Sequence, residues 1–206
     1  MTGSTTAPDG FRRQVPTLLT ALRIALTLPV ALFIVMDTAW AGIAAFVLFI
    51  AAAALDYFDG KLARAWNAVT EFGRALDPVA DKVLVAGVLL ALAVDGLLLA
   101  SLLLPAVVIV GRDFLICGMR EFAADQRRTL HVSKLAKWKT TAELAAIGFL
   151  LAAPGLGPLT GAAAPGLFRT GAVLLWIAAA LSAWTGAAYV KSVLPAPKGR
   201  GPVDYD

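Results

Sequence analysis

The chain has 206 residues, of which 59% are hydrophobic and only 16% charged. Soluble domains average about half apolar and about a quarter charged, so this chain has too little charged surface to cover a core in water and reads as an integral membrane protein. Its net charge of +4 is no nucleic-acid signature, because the basic residues sit in short stretches between apolar runs. One cysteine, Cys117, excludes an intrachain disulfide, and one histidine with no Cys/His cluster excludes a zinc site.

Residues 1–14 are polar and read as a flexible start. They lack the basic region, short apolar run and cleavage site of a removable signal peptide, so the first apolar run is expected to remain as a span. A helix needs about 20 apolar residues to cross a bilayer. Six stretches approach that length: 17–36, 40–65, 78–94, 97–125, 135–153 and 167–193. The third and fourth are separated only by Asp95-Gly96, and the fifth and sixth by a Pro/Gly/Ala link over 154–166. Residues 195–206 read as a flexible tail.

The links alternate in charge. Arg12 and Arg13 precede the first span, Lys61, Arg64 and Arg74 surround the second link, Arg127, Arg128, Lys134 and Lys137 the fourth, and Lys191, Lys198 and Arg200 follow the sixth span. The other links carry almost no basic residues, Arg169 excepted. The positive-inside rule then puts both termini in the cytoplasm of a cell membrane and makes the span count even. The expected fold is all-α, a six-helix domain over 15–194.

Four carboxylates dominate the second and third spans. Asp56 and Asp59 are three apart, and Asp77 and Asp81 four apart. Either spacing sets a pair on one helix face. The short link should bring the two helices together antiparallel, with four carboxylates converging near the cytoplasmic surface. So many carboxylates cannot all ionise unaided in a low dielectric. Two dications would neutralise them, and all-oxygen donors suit magnesium, manganese or calcium rather than zinc. Such pairs of metals, about 4 Å apart, serve phosphoryl-type chemistry. Gly60 and Ala63 lie on the face of Asp56 and leave a slot where a flat base could lie. Gly73 opens the facing side, and Arg64 can reach a diphosphate.

The pattern D-x2-D-G-x2-A-R-x8-G-x3-D-x3-D is met in full by Asp56, Asp59, Gly60, Ala63, Arg64, Gly73, Asp77 and Asp81. In these residues the chain resembles the CDP-alcohol phosphatidyltransferase family. The resemblance implies a six-helix membrane fold, often dimeric, around a cytoplasm-facing polar cavity. It implies that Asp56, Asp59 and Asp77 bind metal, and that Asp81 both contacts metal and acts as general base. It implies CDP-diacylglycerol as donor and CMP as leaving product. The likeness extends from about Val15 to Val190 and is closest to the members that use glycerol 3-phosphate as acceptor. It is carried by 72–82, by Gly111-Arg112-Asp113 through Glu121, and by 132–141. Thr17 departs from the usual asparagine of the family, and Asp113 from the usual glutamate.

Glycerol 3-phosphate is a small dianion and needs cations. Arg112 and Arg120 lie within an apolar run, where charge is costly and usually functional. Lys137 and Lys139 open the fifth span, whose first turn also offers free N–H groups to a phosphate. These four are the candidates for the acceptor phosphate, while Arg23 and Lys82 read as partners of the carboxylates. The alternative is that the cations snorkel or pair with Asp113, Glu121 and Asp125. The same aspartates would also serve another acceptor, inositol phosphate or phosphatidylglycerol. A divalent-cation transporter is the reading from another class, disfavoured because the aspartates lie at one membrane face rather than near the midplane.

Overall fold

The first helix turns leucines outward and threonines and an arginine inward. On the first helix the buried stripe is Thr20, Arg23, Thr27, Val30 and Ile34, whereas Leu22, Leu28 and Leu32 are exposed. The 3–4 spacing of that stripe is the inner face of a helix. Its polarity is the reverse of a soluble protein's, as expected where hydrocarbon surrounds the bundle and polar groups must find partners inside it.

The computed structural model describes residues 10–36, 38–65, 71–98, 100–125 and 134–193. All regular structure among them is helical: α1 (Gly10–Val35), α2 (Ala39–Ala65), α3 (Glu71–Val94), α4 (Ala100–Asp125), α5 (Lys134–Thr160) and α6 (Ala164–Val193), with a 3₁₀ turn at Gly161–Ala163. Four windows, Thr17–Val35, Ser101–Arg120, Trp138–Gly157 and Gly161–Lys191, are long and apolar enough to cross a membrane. The apolar stretch of α2 is shorter, Trp40–Leu55. Charges interrupt the remaining helix, since Asp77, Asp81 and Lys82 fall within α3.

Helix ends depart from the apolar boundaries. α1 starts at Gly10, so residues 10–14 are helical rather than a flexible lead-in, and α3 starts at Glu71, seven residues before its apolar run. Hydropathy marks the part of a helix that meets lipid, whereas backbone hydrogen bonding propagates past it. The link expected over 154–166 is mostly helix, because α5 continues through Pro154 to Thr160. The turn between α3 and α4 is longer than Asp95-Gly96, and Leu97 and Leu98 belong to it rather than to α4. Gly96 makes it with a φ of 81°, a conformation open to glycine. The Gly96 and Leu98 amides donate back to the Ala93 and Leu92 carbonyls.

The helices close a ring in the order α1, α2, α5, α6, α4, α3. The ends of α2 and α3 where the aspartate pairs are expected to converge lie largely outside the residues whose side chains are described. Among the described residues both pack extensively on α1, which lies between them. Gly87 makes room on α3 for α1, since a Cβ there would lie 2.5 Å from Thr27 Cγ2. The core contains Val30, Phe49, Leu84, Val88, Ile109, Ile147, Leu150 and Leu175, contributed by all six helices.

Small residues set the tightest crossings, as usual where lipid competes with side chains for apolar contact. A Cβ on Gly155 of α5 would lie 2.5 Å from the Gly42 carbonyl oxygen of α2. A Cβ on Gly171 of α6 would lie 2.9 Å from the Leu150 amide nitrogen of α5. The helical continuation of α5 past Pro154 carries Gly155 onto the backbone of Gly42. Backbone cannot step aside as a side chain can. Gly155→Ala should therefore lower stability in detergent by about 1–3 kcal/mol. Gly118→Ala, which meets nothing within 4 Å, should be neutral or stabilising by up to about 1 kcal/mol. Thermal unfolding of the two variants checks the difference.

Candidate functional site

Two helices carry the aspartate pairs. Asp56, Asp59, Gly60, Ala63 and Arg64 lie in the last turns of α2, and Gly73, Asp77 and Asp81 in the first half of α3. Helical register keeps Asp56 one turn from Asp59, and Asp77 one turn from Asp81. The side chains of Asp56, Asp59, Arg64, Asp77 and Lys137 lie outside the described residues, as do the surroundings of Gly60, Ala63 and Gly73. Among the described residues no three His, Cys, Asp or Glu side chains gather as a metal cluster.

Asp81 is the aspartate whose surroundings are described. Its side chain is 23% exposed, and Lys82 Nζ lies 3.4 Å from Oδ2. That contact is long for a charge-assisted hydrogen bond. The carboxylate is neither sealed in the core nor tightly engaged by its neighbour.

Behind Asp81 lies a buried ionic network. Its centre is Asp113 on α4, with a side chain only 4% exposed. Asp113 Oδ2 accepts Lys82 Nζ of α3 at 2.9 Å. Its Oδ1 accepts Arg112 Nη1 at 2.9 Å and Lys139 Nζ of α5 at 2.5 Å. Lys139 Nζ also lies 2.6 Å from Glu143 Oε1, one turn further along α5. Glu143 Oε1 in turn accepts the hydroxyl of Ser182 on α6 at 3.1 Å. Arg112 Nη2 donates to Thr185 Oγ1 of α6 at 3.0 Å, and Thr185 donates to the Leu181 carbonyl at 2.7 Å. Gly186 leaves room for the arginine stem, because a Cβ there would lie 2.8 Å from Arg112 Cγ. Four helices are thereby joined by one chain of charges and hydroxyls.

The cations expected at an acceptor phosphate divide into different environments. Arg112 and Lys139 face the bundle interior and are engaged with Asp113. Arg120 lies two turns beyond Arg112 on an exposed part of α4. Eight residues advance a helix by more than two full turns, which rotates Arg120 away from the inward side of Arg112. The pairing of Arg112 with Asp113 was one of the alternatives open in the sequence. The roles of Glu143, Ser182, Thr185 and Gly186 were missed. Their one visible signal was polarity inside an apolar run, strongest in the Lys139/Glu143 spacing of one helical turn. Arg23 is fully buried on the inner face of α1, where the Thr27 hydroxyl donates to its carbonyl at 3.3 Å.

The family model described as CDP-alcohol phosphatidyltransferase matches residues 13–184 of the chain. The chain is also similar to curated bacterial proteins named CDP-diacylglycerol–glycerol-3-phosphate 3-phosphatidyltransferase. The one from Cereibacter sphaeroides is 36% identical, over 88% of this chain and 96% of that protein. The one from Escherichia coli strain K12 is 36% identical, over 87% of this chain and 94% of that protein.

The network also makes a stability prediction. Lys139 separates two carboxylates, and both it and Glu143 have side chains 2% exposed. Lys139→Met would leave Glu143 with the Ser182 hydroxyl as its remaining described partner. Stranding a buried charge in this way costs about 3–5 kcal/mol, whereas removing both charges of a pair is far milder. Thermal unfolding should show Lys139→Met/Glu143→Leu to be more stable than Lys139→Met alone.

Proposed function

The chain belongs to the CDP-alcohol phosphatidyltransferase family, and on that premise we propose that it transfers the phosphatidyl group of CDP-diacylglycerol to glycerol 3-phosphate, releasing CMP and phosphatidylglycerophosphate. The observation that carries the acceptor is the 36% identity, over most of both chains, to proteins named for this reaction. The complete aspartate pattern from Asp56 to Asp81 supports the reaction class.

Asp56, Asp59, Asp77 and Asp81 would hold the metal, two magnesium or manganese ions. The donor set fits, being all carboxylate, paired by helical turns on α2 and α3, with Asp81 only loosely engaged by Lys82. The bound ions supply neutralisation of the donor's diphosphate charge. Asp81 takes the proton from the attacking hydroxyl of glycerol 3-phosphate. The hydroxyl oxygen forms a bond to the lipid-side phosphorus, and the bond from that phosphorus to the CMP oxygen breaks. Gly60, Ala63, Arg64 and Gly73 line the CDP side, and Arg112, Lys137 and Lys139 the acceptor phosphate, whereas the exposed Arg120, turned away from Arg112, is not kept in that set. For Arg112 and Lys139, the interior contacts with Asp113 would orient the cations before an anion arrives. The site faces the cytoplasm, because Lys61, Arg74 and Lys134 flank that end of the bundle. The lipid tails lie among the exposed apolar side chains of the bilayer-facing surface.

Activity should depend on metal. Chelation should abolish CMP release, and magnesium or manganese should restore it. Supplied with CDP-diacylglycerol, the protein should release CMP with glycerol 3-phosphate and far less with inositol phosphate or phosphatidylglycerol. A preference for either of those would overturn the acceptor assignment. Asp81→Asn should lower kcat by about 10²–10⁴-fold, the usual contribution of a positioned base. Near-full CMP release by that variant would remove Asp81 from the mechanism.

A further inference from the structure

Lys82 stands between two carboxylates on different helices. Its ammonium is 2.9 Å from Asp113 Oδ2 and 3.4 Å from Asp81 Oδ2. Its own helix does not favour the second contact, because consecutive residues on a helix point in different directions. Asp113 is 4% exposed and Asp81 23%, so the stronger attraction is the buried one. Asp113 is also fixed in place by Arg112 Nη1 and Lys139 Nζ on its other oxygen.

We propose that Asp113 is a positioning residue for Asp81: by holding the Lys82 ammonium on the α4 side, it keeps that cation from closing on the Asp81 carboxylate. The inference rests on reading Asp81 as metal ligand and base. If Asp113 loses its charge, Arg112 still has Thr185, and Lys139 still has Glu143. Lys82 is left with Asp81 as its nearest described carboxylate. An ammonium bonded closely there competes for the lone pairs that a dication and a substrate proton need. Asp113 thus acts through Lys82 and touches neither substrate nor metal.

The prediction is one of suppression. In the full chain in detergent, Asp113→Asn should lower both turnover and Mn²⁺ affinity, read from the electron paramagnetic resonance signal of free Mn²⁺, by about 10- to 100-fold, the usual effect of removing a residue that orients a metal ligand. Adding Lys82→Met to Asp113→Asn should recover a large part of both losses. Asp113→Glu, which keeps the charge, should stay close to the unmodified protein. The proposal is overturned if the double variant is no better than Asp113→Asn, or if a folded Asp113→Glu is equally impaired. Should Asp113→Asn fail to fold, Lys82→Met alone decides the matter. It should leave Mn²⁺ affinity within about three-fold of the unmodified protein, because Asp113 already holds the ammonium off Asp81, and a change of about ten-fold or more in either direction overturns the proposal. Full activity of Asp81→Asn would remove the reading on which the inference rests. Loss of activity in Asp81→Asn, with no relief in the double variant, would sink the inference alone.

Discussion

A charged side chain inside a bilayer must be neutralised where it lies, because no water is there to solvate it. In this bundle that requirement converges on Asp113. One carboxylate accepts Lys82 from α3, Arg112 from its own helix and Lys139 from α5, and Glu143 carries the chain on to Ser182 of α6. None of these groups can be moved far without stranding another. The network therefore restricts the rotation of four helices about their own axes, which apolar packing alone does weakly in a solvent as apolar as the core itself. Glycines then set how closely the backbones approach, at Gly42 with Gly155 and at Gly171 with Leu150.

That division of labour places the aspartates. α3 is held through Lys82 to the network and through Gly87 to α1, and α2 is held to α1 and α5. α1 carries Thr20, Arg23 and Thr27 on its inner face between them. The two helices that bear the aspartate pairs are thus fixed by elements that bear none of those four residues. A positioned constellation benefits from such support, since a small displacement of a ligand or base costs orders of magnitude in rate.

Much of this was legible in the sequence because local rules govern it. Six helices follow from six apolar stretches, and the aspartate pairs follow from i,i+3 and i,i+4 spacing. What was not legible depends on partners from other helices. Residues 154–166 are rich in proline and glycine and read as a loop. They are largely helical, and Gly155 there meets the backbone of Gly42, a contact no local pattern announces. Asp113 beside Arg112 looks like a local pair, and its wider role depends on Lys82 and Lys139 arriving from α3 and α5. Ser182 and Thr185 resemble other hydroxyls in an apolar run until Glu143 and Arg112 face them.

The charge balance of the network ties the fold to the chemistry. Lys82, Arg112 and Lys139 bring three positive charges, and Asp113 and Glu143 bring two negative ones. The described network closes to neutrality only with Asp81, whose carboxylate lies 3.4 Å from Lys82. Asp81 thus belongs to the family's aspartate pattern and borders the four-helix network through Lys82, its neighbour on α3, without itself crossing between helices. The same carboxylate stands between the family's aspartate pattern and the buried cations Lys82, Arg112 and Lys139.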